Sequence, residues 1–201
     1  MVFLLSGTPG TGKTQTVLQL QAMGLKAIDL GQVLAREAVS RDDKRRGAKV
    51  IDERKALLLA KEASSKFQVL AWTDLSFLDS TPEAAIILRT NPLTLKRRLE
   101  SRGYAEDKVK ENVAAEFLGT VQFNFLRKWP DRSFELDTTM STPSEIAAQI
   151  VSCFEGKLKS SPIDWTMTME ESELLQLLDY LATWMPERPK DLHLRRRGQS
   201  A

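Results

Sequence analysis

Residues 7–14 read Gly-Thr-Pro-Gly-Thr-Gly-Lys-Thr; a short apolar run, residues 2–5, precedes them and a helical pattern follows. This is the phosphate-binding motif G-x-x-x-x-G-K-T in the strand, loop and helix context that the motif requires. Its glycines let backbone amides face inward, and the amino end of the helix adds partial positive charge that attracts an anion. The stretch therefore predicts a P-loop NTPase fold.

Two side chains of the loop have defined tasks in this motif. Lys13 can reach the β- and γ-phosphate oxygens of a nucleoside triphosphate, and the Thr14 hydroxyl can bind Mg²⁺. We therefore expect ATP and Mg²⁺ as ligands.

The rest of the chain repeats an alternation of apolar runs and helical patterns. Buried apolar strands that alternate with helices are typical of an α/β fold with right-handed crossovers. We expect a five-stranded parallel sheet flanked by helices. The predicted strands are residues 2–5, 25–30, 67–72, 84–88 and 133–136.

Other patterns predict local structure. Apolar residues recur every four positions from Val109 to Phe125, which predicts one amphipathic helix over residues 105–128. Residues 142–145 read Thr-Pro-Ser-Glu, a capping box that starts another helix. Residues 41–55 are densely charged, and we expect them to be exposed and mobile.

Composition excludes several classes of function. The 201 residues suit one domain with a small addition, and the net charge of +2 gives no indication of DNA binding. A single cysteine, Cys153, and a single histidine, His193, exclude internal disulfides, a Ser-His-Asp triad and multi-histidine metal sites. No apolar run is long enough to span a membrane and no signal peptide is recognisable, so we predict a cytoplasmic protein.

The absence of one further motif narrows the choice among P-loop proteins. A GTPase needs a guanine-reading N-K-x-D, and Asn91 and Asn124 are followed by Pro92 and Phe125. Small-molecule kinases and compact ATPases remain.

Several stretches resemble one kinase family. They are residues 4–14, LARE at 34–37, IDER at 51–54, and LRTNPLTLKRRLESRGY at 88–104, followed by Lys108 and Asn112. Over about residues 1–155 the chain resembles the adenylate kinase isoenzyme 6 family of nucleoside monophosphate kinases, which is also linked to assembly of the small ribosomal subunit. The resemblance implies a nucleotide kinase domain at 1–155, with a monophosphate-binding region at 29–51 and a short lid at 101–111.

The resemblance also implies roles for individual residues. Arg36 would bind the acceptor phosphate, and Arg102 would contact ATP from the lid. Arg98 and Arg102 are four residues apart on one predicted helix and share a face, which suits neutralisation of phosphoryl charge beside Lys13. The implied ATP-binding residues are Gly10, Gly12, Lys13, Thr14, Gln15 and Arg102.

The chain departs from the family at two places. The family's third strand ends in an Asp that positions Mg²⁺, and Trp72 takes that place here. Asp74, two residues later, is our metal candidate; the alternative is a weakened metal site, and Asp79 is a poorer candidate. The family often has Gly-Asp after the second strand, whereas this chain has Gly31-Gln32, which changes the acceptor side.

Residues 156–201 form a C-terminal extension without a counterpart that we recognise in the family. It contains an amphipathic helix, predicted at residues 169–185, and a basic tail with three arginines at 195–197. The helix either packs on the kinase core, which we favour, or docks a partner protein. The tail is either solvated or contacts rRNA phosphates.

Two functions from different classes follow. The first is a nucleoside monophosphate kinase that converts ATP and AMP to two ADP, with catalysis by Lys13, Arg98 and Arg102. The second is an ATP-gated assembly factor with slow ATPase activity, which would bind a small-subunit ribosomal protein and rRNA. A kinase of another acceptor, such as shikimate or a nucleoside, is disfavoured by the RGY match.

Overall fold

The computed structural model describes residues 2–36, 40–43, 48–51, 53–157 and 162–184. Its centre is a five-stranded parallel sheet, which confirms the predicted fold class. The strands lie in the order β2-β5-β1-β6-β7. They are β1 (Phe3–Gly7), β2 (Ala27–Asp29), β5 (Val69–Ala71), β6 (Ala84–Arg89) and β7 (Ser133–Asp137).

Helices cover both faces of the sheet, as expected for apolar parallel strands. One face packs mainly on α1 and α7, and the other on α2, α3 and α6. The helices are α1 (Lys13–Ala22), α2 (Leu30–Arg36), α3 (Glu53–Lys66), α4 (Pro92–Glu100), α5 (Glu106–Phe117), α6 (Thr120–Lys128), α7 (Pro143–Phe154), α8 (Trp165–Thr168) and α9 (Glu171–Ala182).

The region between α2 and α3 contains two strands that the sequence analysis did not predict. β3 (Ser40–Asp43) and β4 (Ala48–Ile51) pair antiparallel as a separate two-stranded sheet. β3 has three charged residues among four, and β4 is only four residues long, so neither shows the alternating apolar pattern by which strands are usually recognised.

The single helix predicted over residues 105–128 is wrong. The structure has α5 and α6 instead, separated at Gly119, whose φ of 63° is left-handed. The four-residue apolar period continues across the break because Val113 and Phe125 both pack into buried clusters. The glycine was the sequence signal for the break, since left-handed glycines commonly end helices.

The C-terminal segment packs on the core, which agrees with the interpretation we favoured. Trp165, Met169 and Leu177 are buried in a cluster with residues of α4 and α5. The predicted helix at 169–185 is shorter, and α8 precedes it. The basic tail with arginines at 195–197 lies outside the described residues. Within the described part of the chain, no helix is long and apolar enough to cross a membrane.

Candidate functional site

The loop at residues 7–14 joins β1 to α1 and lies against the end of β6. Two of its glycines are required by geometry. Gly12 has a φ of 100° where α1 begins, and a Cβ at Gly7 would lie 2.5 Å from the carbonyl oxygen of Leu88. Side chains at these positions would strain the backbone or force the loop away from the sheet. The loop therefore closes tightly at the amino end of α1, the part of a helix that attracts an anion.

Lys13 lies folded against this loop. Its Nζ donates to the carbonyl oxygens of Gly7, at 2.5 Å, and Thr8, at 3.0 Å. Burial lowers the pKa of Lys13 to about 8, while the charges of Asp29 and Glu116 raise it and that of Arg102 lowers it further. Phosphate oxygens next to the ammonium would favour its charged form.

The Thr14 hydroxyl lies beside a carboxylate that the sequence analysis did not single out. Thr14 Oγ1 donates to Asp29 Oδ2 at 2.6 Å, and Asp29 Oδ1 accepts from the backbone N–H of Gln32 at 3.2 Å. Asp29 is the last residue of β2. Its position at the carboxyl end of a parallel strand was the available signal, because ligands of open α/β sheets bind along that edge.

Asp74, the predicted metal ligand, has other partners. Its Oδ1 accepts from the backbone N–H of Ser76 at 2.8 Å, and its Oδ2 accepts from Asn124 Nδ2 at 2.8 Å. The carboxylate thus caps the turn after β5 and ties that turn to α6. A hydroxyl and a carboxylate side by side suit Mg²⁺, which prefers oxygen ligands, so Thr14 with Asp29 fits the ion better than Thr14 with Asp74.

Two predicted arginines line a cleft on one side of the loop. Arg98 Nη2 donates to the carbonyl oxygens of Thr138, at 2.7 Å, and Thr139, at 3.1 Å, so α4 is joined to the loop after β7. Burial lowers the pKa of the Arg98 guanidinium, and neighbouring Arg102 lowers it further while Asp137 raises it. The first cleft is lined by Gly10, Thr11, Gly12, Gln15, Thr16, Arg98, Arg102, Thr138, Ser141, Pro143 and Ile146.

Arg36 lines a second cleft on the other side of α1. Thr14 and Asp29 also line this cleft, and Arg36 at the carboxyl end of α2 contributes the cation. The second cleft is lined by Thr14, Val17, Leu18, Gln21, Ile28, Asp29, Gln32, Val33 and Arg36. Most of the predicted residues therefore fall into two groups: Gly10, Gly12, Gln15, Arg98 and Arg102 in the first cleft, and Thr14 and Arg36 in the second. Lys13 and Asp74 line neither cleft.

Glu116 is a further residue that sequence reasoning missed. Its Oε2 accepts from Thr8 Oγ1 of the loop at 2.6 Å, although 108 residues separate the two. The side chain is almost fully buried. A glutamate inside an amphipathic helix reads as a surface residue, so the sequence carried no usable signal for this contact.

Comparison with known proteins identifies the family of the chain. An AAA domain model matches residues 4–119. A protein of Saccharolobus solfataricus named "Putative adenylate kinase" is 32% identical over 181 residues, which cover 89% of this chain and 95% of the relative. The chain belongs to the same family as this "Putative adenylate kinase". A Pyrococcus furiosus protein of the same name is 32% identical over 174 residues, 85% of this chain and 94% of the relative.

These family matches change one expectation from the sequence. They cover 89% of the chain, more than residues 1–155 make up, so part of the C-terminal segment has a counterpart in these relatives. We had expected that segment to be unmatched.

A solved structure has the same fold. Shikimate kinase from Acinetobacter baumannii, in complex with shikimate, superposes with a TM-score of 0.55 at 14% identity, covering 78% of this chain and 94% of that one. At this identity the likeness concerns the fold alone. Together the family relatives and the P-loop kinase fold support a nucleotide kinase, that is, a phosphotransferase.

Proposed function

We propose that the chain is a nucleoside monophosphate kinase that transfers the γ-phosphoryl group of ATP to AMP and forms two ADP. One observation carries the proposal: two clefts flank the start of α1, each lined by at least one arginine, and the first meets the phosphate loop at residues 10–12 while the second meets it at Thr14. A donor and an acceptor can thus approach the same loop from opposite sides. The name of the archaeal relatives, "Putative adenylate kinase", supports AMP as the acceptor.

The first cleft is the proposed ATP site. Amides of the loop around Gly10 and Gly12, together with Lys13 and Gln15, would bind the phosphates, and Arg102 would contact them from the proposed lid at residues 101–111. Arg98 is held by the carbonyls of Thr138 and Thr139, so its guanidinium is already oriented. Pre-oriented cations neutralise charge on the transferring group without the cost of reorganisation.

The second cleft is the proposed acceptor site. Arg36 would bind the acceptor phosphate, within a monophosphate-binding region that we place at residues 29–51. The β–γ bridging bond of ATP breaks as an oxygen of the acceptor phosphate bonds to the γ-phosphorus. This step needs no protein base and no covalent intermediate, because catalysis consists of positioning and charge neutralisation.

Thr14 and Asp29 are the residues that would hold Mg²⁺. When bound there, the ion would neutralise negative charge on the phosphates of the nucleotide. Asp29 would act through its carboxylate, and Thr14 through the hydroxyl that now donates to that carboxylate.

The second candidate is an ATP-gated assembly factor that binds a small-subunit ribosomal protein and rRNA. One observation favours it: among the described residues that line the second cleft, Arg36 is the one cation, whereas the first cleft has two arginines. A weak acceptor site would leave slow ATP hydrolysis as the main reaction. The resemblance to the isoenzyme 6 family supports this role, and the cytoplasmic location stays a prediction.

Formation of ADP from ATP with and without AMP tests the proposal. We expect AMP to raise the rate at least about tenfold above that with ATP alone, and Lys13→Ala to abolish the increase. Lys66→Ala is the matched control, since that lysine is exposed and pairs with Glu62 on the surface of α3. If AMP makes no difference and only slow, Lys13-dependent hydrolysis remains, the assembly-factor candidate replaces the kinase.

A further inference from the structure

A buried carboxylate contacts the phosphate loop without lining either cleft. Glu116 is 2% exposed, and each of its oxygens has donors. Oε2 accepts from Thr8 Oγ1 at 2.6 Å. Oε1 accepts from Arg89 Nε at 2.8 Å, the backbone N–H of Thr90 at 3.1 Å and Trp165 Nε1 at 3.2 Å. One side chain therefore joins the loop, the end of β6 and the C-terminal segment.

Arg89 fixes the C-terminal segment to the same network. The guanidinium is also 2% exposed, and its Nη1 donates to Glu135 Oε2 at 2.7 Å and to the carbonyl oxygen of Ile163 at 3.2 Å. The backbone N–H of Ile163 in turn donates to Glu135 Oε2 at 3.2 Å. Residues 163 and 165 are thus held by buried charges as well as by apolar packing.

Thr8 connects this network to the groups that would meet the nucleotide. Its side chain is buried, and its carbonyl oxygen accepts from Lys13 Nζ at 3.0 Å and from Thr11 Oγ1 at 2.9 Å. The hydroxyl that Glu116 holds and the carbonyl that Lys13 contacts therefore belong to one residue. Hydrogen bonds in such a dry environment are strong, and one lost donor affects the others in the network.

We propose that Glu116 is a positioning residue for nucleotide binding, through which the C-terminal segment (residues 162–184) acts on the phosphate loop. Trp165 and Thr8 share the carboxylate from opposite sides, so the docking of the segment orients the carboxylate and the carboxylate orients the loop. The inference rests on the proposed function to the extent that the loop binds ATP. It does not depend on the identity of the acceptor.

The competing explanation is that Trp165 only fills space. The indole is 4% exposed and packs with Met169 and Leu177 against α4 and α5, so its removal would also destabilise the fold. A test must therefore remove the Nε1–H donor while most of the packing stays. Trp165→Phe does this, because a phenyl ring fills much of the indole's volume and has no donor.

Trp129→Phe is the matched control. Trp129 is 6% exposed, equally a buried indole, but it packs beside Phe125 in the cluster under α6. We would measure binding of the non-hydrolysable ATP analogue AMP-PNP with Mg²⁺ to the full chain by calorimetry. We expect Trp165→Phe to raise Kd about five- to tenfold and Trp129→Phe to leave it within about twofold, at comparable losses of Tm.

A double-mutant cycle with Thr8→Val identifies the path. Valine has nearly the volume of threonine but no hydroxyl, so it cuts the link at the loop. If Glu116 transmits the effect, Trp165→Phe will not weaken AMP-PNP binding further once Thr8 is Val. Multiplicative effects of the two substitutions would overturn the proposal, and so would a Trp165→Phe chain with wild-type affinity.

Linkage requires the reverse effect as well, because coupling between two sites is reciprocal. AMP-PNP should slow amide hydrogen exchange in residues 162–184 of the wild type, and should do so much less in Thr8→Val. A space-filling role for Trp165 predicts no ligand effect on that segment in either chain, and that result would overturn the proposal.

The outcomes separate the two proposals. If the wild type binds AMP-PNP but AMP does not stimulate formation of ADP, the proposed kinase activity is contradicted and the coupling through Glu116 is not. If AMP stimulates the activity but the Kd for AMP-PNP is the same in all variants, the coupling through Glu116 is contradicted and the kinase activity is not. No binding of AMP-PNP to the wild type would overturn both.

Discussion

At the scale of the residue, two carboxylates are candidates for holding Mg²⁺. Asp29 accepts the hydroxyl of Thr14, the residue that the phosphate-loop motif assigns to Mg²⁺, whereas both oxygens of Asp74 accept from Ser76 and Asn124. Sequence reasoning selected Asp74 because it counted along one strand from the family's Asp. Distance along a strand says little about which strand ends meet across a sheet.

Asp29→Asn is therefore expected to change the requirement for Mg²⁺. The amide keeps the size of the side chain but loses the charge, so we expect kcat to fall about 10- to 100-fold and the Mg²⁺ concentration for half-maximal rate to rise. Titration of the rate with Mg²⁺ at saturating ATP measures both. Asp74→Asn should mainly lower Tm. If the Mg²⁺ requirement instead changes only in Asp74→Asn, Asp74 and not Asp29 is the residue that holds the ion.

Arg36→Ala should separate the two substrates. Because Arg36 lines the second cleft and the loop lies between it and the first, we expect KM for AMP to rise at least about tenfold while KM for ATP stays within about twofold. Arg97→Ala is the control, since Arg97 is exposed and donates to Thr94 on its own helix. Equal increases of both KM values in Arg36→Ala would contradict an acceptor role.

At the scale of the element, the break between α5 and α6 illustrates what periodicity misses. Arg89 Nη2 donates to the carbonyl oxygen of Glu116 at 3.0 Å, so the last turn of α5 is capped by a buried guanidinium. Gly119 then takes a left-handed conformation and α6 begins. A four-residue apolar period persists through such a break, because each helix packs its apolar face into a buried cluster of its own.

Gly119→Ala should destabilise the fold through this break. A Cβ there would be strained by the left-handed φ and would lie 2.5 Å from Gln122 Oε1, which accepts from Arg89. We expect the free energy of unfolding in urea to fall by about 1–2 kcal/mol. Gly156→Ala is the control, since it has a similar φ of 67° with open space around the Cβ; an equal loss in both variants would exclude a contribution from the contact.

The capping box of α7 makes a prediction about pH. Hydrogen bonds from Thr142 to the carboxylate hold the pKa of Glu145 below its usual range. A depressed pKa stabilises the fold above the pKa of the unfolded chain, and this contribution is lost as the pH falls through the folded pKa. Glu145→Gln should therefore unfold at lower urea than wild type at about pH 7 and coincide with it near about pH 3; a constant difference would contradict the assignment.

At the scale of the whole molecule, the sequence predicts the features that are encoded by neighbouring residues. The five strands, the phosphate loop and the capping box are each encoded within about ten neighbouring residues, and all are found. The contacts of Arg89 with Glu116 and Glu135 span 27 and 46 residues. Charged residues are rarely fully buried, so nothing in the sequence indicates that these three pair with one another or that Trp165 lies beside them.

The same contacts make the C-terminal segment part of the core. Trp165, Met169 and Leu177 are buried against α4 and α5, and each buried side chain of this kind contributes about 1.5–3 kcal/mol. Their sum is comparable to the whole free energy of unfolding of a typical domain, about 5–15 kcal/mol. A chain that ends at residue 161 should therefore unfold without a cooperative transition and should not bind ATP, as thermal denaturation and calorimetry would measure.

A chain that ends at residue 184 is the matched comparison, because it keeps every one of these contacts. We expect its Tm to lie within a few degrees of the full chain and its affinity for ATP to be unchanged. If instead the chain ending at residue 161 melts cooperatively and binds ATP like the full chain, residues 162–184 are dispensable to the core. The coupling through Glu116 would then fail with this prediction, since a segment that can be removed without effect cannot orient the loop.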